Sequence, residues 1–130
     1  MAFGTLKADT LTHSTAGSLA TNFVVEGTAK CWFLFQGNGT AAVDDSFNVS
    51  SLDDDGTGQY GIHYTNSFDS ANQSVAGDNS NGNAGSTMRS TNFHTTTTST
   101  VDMDAWYIST GNASQDDPTD CRGVVHGDLA

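Results

Sequence analysis

The feature that most constrains the fold is the stretch of residues 31–65, where short alternating segments are separated by turn sequences. Residues 37–40 read Gly-Asn-Gly-Thr, and Asp55-Gly56 lies between alternating runs at residues 47–52 and 60–64. Asp-Gly between two alternating segments is a strong hairpin signal, because glycine accepts the positive φ that tight turns need. The stretch therefore predicts consecutive antiparallel strands.

The remainder of the chain continues this pattern with short candidate strands at residues 23–25, 105–108 and 121–126, and a threonine-rich one within 90–100. Seven or eight short strands at about ten-residue spacing predict an all-β fold, an antiparallel β-sandwich or a jelly-roll-like barrel. We assign residues 23–130 to this single domain. No helix is predicted anywhere in the chain.

Residues 1–22 are polar and rich in serine and threonine, and they show no apolar stripe at helical spacing. We expect an extended N-terminal arm there, and the alternative is a poorly ordered lead-in; if the arm is ordered, we expect a neighbouring subunit to order it. Glycine-rich and polar residues 77–86 and 111–120 predict exposed loops.

The chain has too few hydrophobic residues for a thick core. Hydrophobic residues make up 35% of the 130, with 14 glycines and one proline, against about 45–50% in typical globular chains when glycine is counted. A small domain buries a small share of its surface, so self-association is a natural way to cover the remaining apolar area. We therefore expect a homo-oligomer.

The net charge is −11, from 15 acidic and 4 basic residues. Every acidic residue except Glu26 is aspartate, which favours turns over helix interiors. A chain with this negative charge is repelled by the phosphate backbone of nucleic acids. We therefore expect no nucleic-acid partner.

The two cysteines, Cys31 and Cys121, are compatible with a disulfide or with two small buried apolar side chains. No apolar run approaches the ~20 residues that span a bilayer, so no membrane partner is expected. The first nine residues lack the apolar core of a signal peptide. We expect synthesis in a cytoplasm without classical export.

Several short motifs within residues 30–76 occur in a known order: Trp32-Phe33, Gly37-Asn38-Gly39-Thr40, Phe47-Asn48-Val49-Ser50-Ser51, Gly56-Thr57-Gly58-Gln59-Tyr60 and Ala71-Asn72. In this order they resemble the C-terminal module of tailed-phage fibre and appendage proteins, common among marine phages. The ending Val124-Val125-His126-Gly127-Asp128 is similar to the closing strand of that module. The likeness is weak over residues 77–120.

The resemblance implies a bacteriophage virion structural protein on the particle exterior, made in the host cytoplasm. Family modules are commonly homotrimeric, and residues 30–36 would suit a three-fold contact. Fibre proteins normally carry a long stalk ahead of this module, whereas here only residues 1–22 precede it. We therefore expect a capsid decoration (cement or head-fibre) protein bound to the major capsid protein or another virion protein. The alternative is a tail-fibre tip that recognises host surface glycans through residues 77–86 and 111–120.

The candidate interface residues are the apolar side chains of the arm and of the aromatic strand: Phe3, Leu6, Leu11, Trp32, Phe33, Leu34 and Phe35. Successive strand residues point to opposite faces, so aromatic residues on both sides of residues 30–36 suggest a strand covered on both sides. Trp106 and Tyr107 also point to opposite faces, and one of them is a candidate ligand-facing residue.

The sequence offers no catalytic, cofactor-binding or well-formed metal motif. Asp53, Asp54 and Asp55 precede Gly56, but an EF-hand loop counted from that glycine would begin at Ser51 and end at Ile62, which fails at both ends. A hairpin turn is the favoured interpretation, and adventitious divalent binding by the three aspartates is the alternative. No Gly-x-Ser-x-Gly segment activates a serine. We expect neither an enzyme nor a cofactor.

Overall fold

The computed structural model describes residues 8–15, 17–82 and 88–130 and confirms the all-β class. In these residues eleven strands form three antiparallel sheets. The strands are β1 (Thr10–His13), β2 (Gly17–Ala20), β3 (Cys31–Gln36), β4 (Ala42–Phe47), β5 (Val49–Gly56), β6 (Gln59–Tyr64), β7 (Ser74–Ser80), β8 (Met88–Thr96), β9 (Thr100–Ser109), β10 (Asn112–Gln115) and β11 (Asp120–His126). One helix, α1, spans Thr21–Gly27.

The five-stranded sheet is organised around β9, its longest strand. One edge of β9 pairs with β8, and the other pairs with β6 near Thr100 and with β10 near Ser109. Strand β5 pairs with the other edge of β6 and so forms an edge of this sheet. The four-stranded sheet has the order β4-β3-β11-β7. The two sheets pack through alternating side chains, as in a sandwich.

The core lies between these two sheets and is built from one face of each. The buried apolar residues are Cys31, Phe33, Phe35, Cys121 and Val125 from the four-stranded sheet, Tyr60, Ile62, Tyr64, Val101, Met103 and Ala105 from the five-stranded sheet, and Phe68. Phe35 meets Tyr60 edge-on across the core, with ring centroids 4.9 Å apart. Such aromatic pairs add about 0.5–1.5 kcal/mol beyond the area they bury.

The N-terminal region differs from the predicted arm and first strand. Strands β1 and β2 form a hairpin, and Phe23, predicted in a strand, lies in α1. The Thr21 hydroxyl donates to the Ala8 carbonyl, which ties the start of the helix to the hairpin. The Lys30 ammonium donates to the carbonyls of Val25 and Thr28, so it satisfies acceptors that the last helical turn leaves open. These contacts override the local preference of β-branched residues for strands.

Strand boundaries also differ at the predicted turns and loops. The predicted strand 47–52 is interrupted at Asn48, whose φ of 62° turns the chain from β4 in one sheet to β5 in the other. The Asn48 side chain holds this corner, since its Oδ1 accepts the Asn66 N–H at 2.7 Å. The predicted loops contain strand residues as well: β7 extends to Ser80, and β10 lies within residues 111–120.

The hairpin between β5 and β6 is confirmed, and a carboxylate from a distant loop holds its tip. Asp117 Oδ1 accepts the Gly58 N–H at 2.7 Å and the buried Tyr60 hydroxyl at 3.0 Å. Gly58 has φ +67°, and an added Cβ would lie 2.6 Å from the Ala105 carbonyl oxygen, so both the turn and its packing require glycine. The interaction fixes the hairpin against the end of the sandwich.

Replacing Asp117 by alanine is expected to lower the free energy of unfolding by about 2 kcal/mol, because the buried Tyr60 hydroxyl loses its charged acceptor. Urea unfolding of Asp117→Ala, Tyr60→Phe and the double variant forms a mutant cycle. We expect the double variant to be destabilised by less than the sum of the two single changes. The exposed Asp128→Ala serves as the control; strictly additive losses would contradict the interaction.

Candidate functional site

The outer face of the four-stranded sheet carries a row of apolar side chains that none of the described residues covers. Trp32 on β3 lies opposite Phe47 on β4 and Val124 on β11, and Val124 lies opposite Ala76 on β7. We call Phe47, Trp32, Val124 and Ala76 the apolar row. Phe47 is 53% exposed, Trp32 37% and Val124 38%. One cross-strand register therefore lines up exposed apolar residues from all four strands.

The next outward-facing row carries charges. In it Leu34 lies opposite Asp45 and Arg122, and Arg122 lies opposite Asp78. The Arg122 Nε lies 3.4 Å from Asp78, and its guanidinium also approaches Asp120 at 3.8 Å. These exposed ion pairs contribute little to stability. They give the apolar row a polar, mainly acidic border.

A groove of about 810 Å³ runs along the two rows. Small residues, among them Gly77 and Gly123, leave space between larger side chains. The lining residues are Trp32, Phe33, Leu34, Ala76, Gly77, Asp78, Asp120, Arg122, Gly123 and Val124. A residue with a side chain does not fit at position 123, because the Phe33 ring fills the space that its Cβ would need. An apolar floor with a polar border is the composition of a protein-binding patch.

The structure separates the predicted interface residues into two groups. Trp32 and Leu34 lie on the outer face, whereas Phe33 and Phe35 are 2% and 0% exposed in the core. The prediction that Phe33 and Phe35 lie at an interface is therefore wrong. The alternation of β3 directs their side chains towards the five-stranded sheet. Within the part of the chain that the structure describes, only this inner side of β3 is covered. Leu11 is 41% exposed on β1, while Phe3 and Leu6 lie outside the described residues.

Phe47 and Val124 belong to the site but were not among the predicted interface residues. Each lies in an alternating segment of the sequence. Alternation places it on one face of its strand, and this could have marked it as a candidate surface residue. Their position beside Trp32 depends on strand order and register, which bring together residues 32, 47 and 124. No local pattern specifies that register.

Trp106 and Tyr107, the predicted ligand-facing pair, are both half-buried near the end of β9. Trp106 lies opposite Ser90 and Gln115. The Arg89 guanidinium lies 5.6 Å from the centre of the Tyr107 ring and bonds to Asp116 at 2.5 Å. Tyr107 is thus engaged in a cation–π contact within the chain.

The outer face of the five-stranded sheet is acidic. Asp53, Asp55 and Asp102 surround Gly61, where an added Cβ would lie 3.6–3.7 Å from each of them. His63 Nε2 lies 2.7 Å from Asp53 Oδ2, and His94 lies 3.6 Å from Asp104. These contacts pair histidines with carboxylates across neighbouring strands.

The three adjacent aspartates lie in β5 and not in the turn itself, which follows at residues 57–58. Alternation places Asp54 on the face opposite Asp53 and Asp55. Among residues 8–15, 17–82 and 88–130, no three histidine, cysteine or acidic side chains are placed to hold a metal ion. In the same residues, no helix has the length and apolar content needed to cross a bilayer.

The cysteines, for which the sequence left two alternatives, are free thiols in the core. Cys31 lies opposite Val125, and Cys121 lies opposite Phe35 on the same strand pair. The four-residue offset along β3 separates them by about 13 Å, well beyond the reach of a disulfide. Burial raises the pKa of each thiol to about 12, so neither is a reactive thiolate at neutral pH.

In comparisons with known proteins, no family model matches this chain, and no curated protein or solved structure matches it. The features that bear on function are therefore those of the chain itself. They are the apolar row, its acidic border and the exposed N-terminal hairpin and helix.

Proposed function

We propose that this chain is an adhesive structural protein on the exterior of a tailed-phage particle, a capsid decoration protein that associates as a homotrimer. The motifs of residues 30–76, which resemble phage appendage modules, support the assignment to a virion. The apolar row supports the adhesive role. The partners of the chain are further copies of itself and the major capsid protein or another virion protein.

The observation that carries the proposal is the exposure of Phe47 and Trp32 side by side on the outer face of the four-stranded sheet. In a chain of net charge −11, an uncovered aromatic pair is a local exception to a strongly solvated surface. Covering the exposed part of each side chain contributes on the order of 1 kcal/mol. Aromatic residues at the centre of a patch with a polar border are the usual source of binding energy between proteins.

The first experiment is immunogold labelling of intact virions with antibody against this chain. Label spread over the head supports a decoration protein. Label confined to the tail overturns the capsid location and supports the fibre-tip alternative. Absence of label from purified particles overturns the assignment to a virion.

A variant tests the adhesive surface itself. We expect Trp32→Ser combined with Phe47→Ser to reduce binding to particles stripped of this protein by at least tenfold, because the central aromatic contacts are lost. Co-sedimentation with particles measures the effect. Met88→Ser is the matched control, since Met88 is 67% exposed but lies on β8, away from the apolar row. Equal binding by all variants would contradict the role of this face.

One observation favours the alternative of glycan recognition. Trp32 stands in the groove beside Asp78, Asp120 and Arg122, and an aromatic platform next to polar side chains is suited to a sugar ring. Asp78 and Asp120 belong to the two segments that the sequence predicted for this role. A glycan array distinguishes the functions: saturable binding that Trp32→Ser abolishes supports a fibre tip over a decoration protein.

A further inference from the structure

The N-terminal segment, residues 8–27, presents a second uncovered apolar surface. Leu11 and Leu19 lie opposite each other in the hairpin and are 41% and 47% exposed. On the helix, Phe23 and Val25 are 64% and 61% exposed, and no helical residue is buried. The segment therefore leaves its large apolar side chains in water.

These two surfaces account for most of the exposed large apolar side chains of the described residues. Four lie on the N-terminal segment, and three lie on the outer face of the four-stranded sheet: Trp32, Phe47 and Val124. An apolar hairpin and an apolar sheet face on one chain are suited to cover each other.

We propose that the N-terminal segment of one copy binds the apolar row of a second copy. This inference rests on the adhesive role proposed above and specifies which surface meets which. Residues 28–30 alone join α1 to β3, a span of at most about 11 Å. The segment thus leaves the sheet at Cys31, beside Trp32, yet leaves Trp32 37% exposed in its own chain. Among the described residues, no strand of the two larger sheets makes an extended contact with β1, β2 or α1, so the segment is available to a neighbour.

Charge distinguishes this contact from a face-to-face pairing of two sheets. The apolar row is bordered by Asp45, Asp78 and Asp120, with Arg122 as the basic residue among them. Two such faces would bring their acidic borders together at a cost in repulsion. The N-terminal segment, by contrast, carries two acidic residues, Asp9 at its start and Glu26 in α1, and the hairpin strands between them contain no aspartate, glutamate, lysine or arginine. The hairpin strands can lie on the acidic face without that repulsion.

A contact between two different surfaces is heterologous: it forms a ring of copies where the rotation between neighbours closes and an open filament where it does not. The trimer that the resemblance implies is one such ring. Each copy both donates a segment and accepts one. A variant with a damaged segment should still accept a neighbour's segment, and a variant with a damaged row should still donate its own.

The test is the mass of the purified chain in solution, measured by sedimentation equilibrium in the absence of particles. We expect the full chain to form an assembly larger than the 13.6 kDa chain. Either segment variant, Phe23→Asp or Leu19→Asp, should sediment as a single chain, and so should the row variant Trp32→Ser/Phe47→Asp. Met88→Asp, exposed elsewhere, should retain the assembly. A cooperative urea transition in each variant shows that it is folded, although loss of the assembly lowers the midpoint.

The mixing experiment gives the most specific result. An equimolar mixture of Phe23→Asp with the row variant should form a complex of two chains and nothing larger, because one intact segment and one intact row remain. A monomeric full chain, an assembly that survives either change, or no complex on mixing overturns the inference. Since no particle is present, these outcomes are independent of the labelling experiment that tests the proposed function.

Discussion

Gly123→Ala is expected to lower the free energy of unfolding by about 3 kcal/mol, because its Cβ would enter the space occupied by the Phe33 ring. Gly123 is buried in β11 and lies directly opposite Phe33 in β3. Two carbons of the Phe33 ring would lie 2.9 and 3.1 Å from the new methyl group, and a third would be nearer still. The ring itself is held by Phe35 and Phe93, at centroid distances of 5.9 and 6.4 Å.

Urea unfolding of Gly123→Ala, Phe33→Leu and the double variant measures the effect. Because leucine is smaller and more flexible than phenylalanine, we expect the double variant to be more stable than the sum of the single losses predicts. Gly27→Ala is the control, since nothing lies within 4 Å of its added Cβ and no positive φ is involved. A loss below 1 kcal/mol in Gly123→Ala would contradict the packing described here.

The sequence predicted the sandwich correctly because its main signals are local. Alternation in residues 31–36 and 60–64, and the glycine turns beside them, correspond to strands and hairpins of the structure. The prediction failed where the decisive contact is distant in sequence. Asn48 ends a strand because it bonds to Asn66, and α1 begins where the Thr21 hydroxyl bonds to the carbonyl of Ala8. Neither partner can be identified from a short window.

The candidate site was predictable only in part for the same reason. Trp32 and Leu34 follow from alternation in one strand, although the sequence does not say which of the two faces is buried. Gly123 decides this, since it makes room for Phe33 on the inner side. The addition of Phe47 and Val124 depends on the pairing of β3 with β4 and β11. That pairing is a property of the whole fold.

The stability of the chain is expected to fall steeply between pH 9 and pH 11. Burial raises the pKa values of four groups: Cys31 and Cys121 to about 12, and Tyr60 and Tyr64 well above their usual value near 10. For Tyr60, the hydrogen bond to Asp117 adds to the effect of burial. In the unfolded chain the thiols lose their protons near pH 9 and the phenols near pH 10.

The folded state therefore retains protons that the unfolded state releases, so raising the pH favours unfolding. The contribution of these groups is fully present below pH 9 and is lost as the pH rises towards their folded pKa values. The two thiols alone lower the free energy of unfolding by about 3 kcal/mol per pH unit above pH 9, and the tyrosines add a similar slope above pH 10. A loss of this size approaches the whole stability of a small domain by pH 11.

Urea unfolding between pH 7 and pH 11, with a phosphine reductant to keep the thiols reduced, measures the slope. The matched variant is Cys31→Ala/Cys121→Ala. Of the four buried groups with raised pKa values, it retains only Tyr60 and Tyr64. Its baseline stability is lower because two buried sulfur atoms are missing. Between pH 9 and pH 10, however, its stability should be nearly constant while that of the parent chain falls. Equal slopes in both proteins over this interval would show that the thiols are not buried as the structure places them.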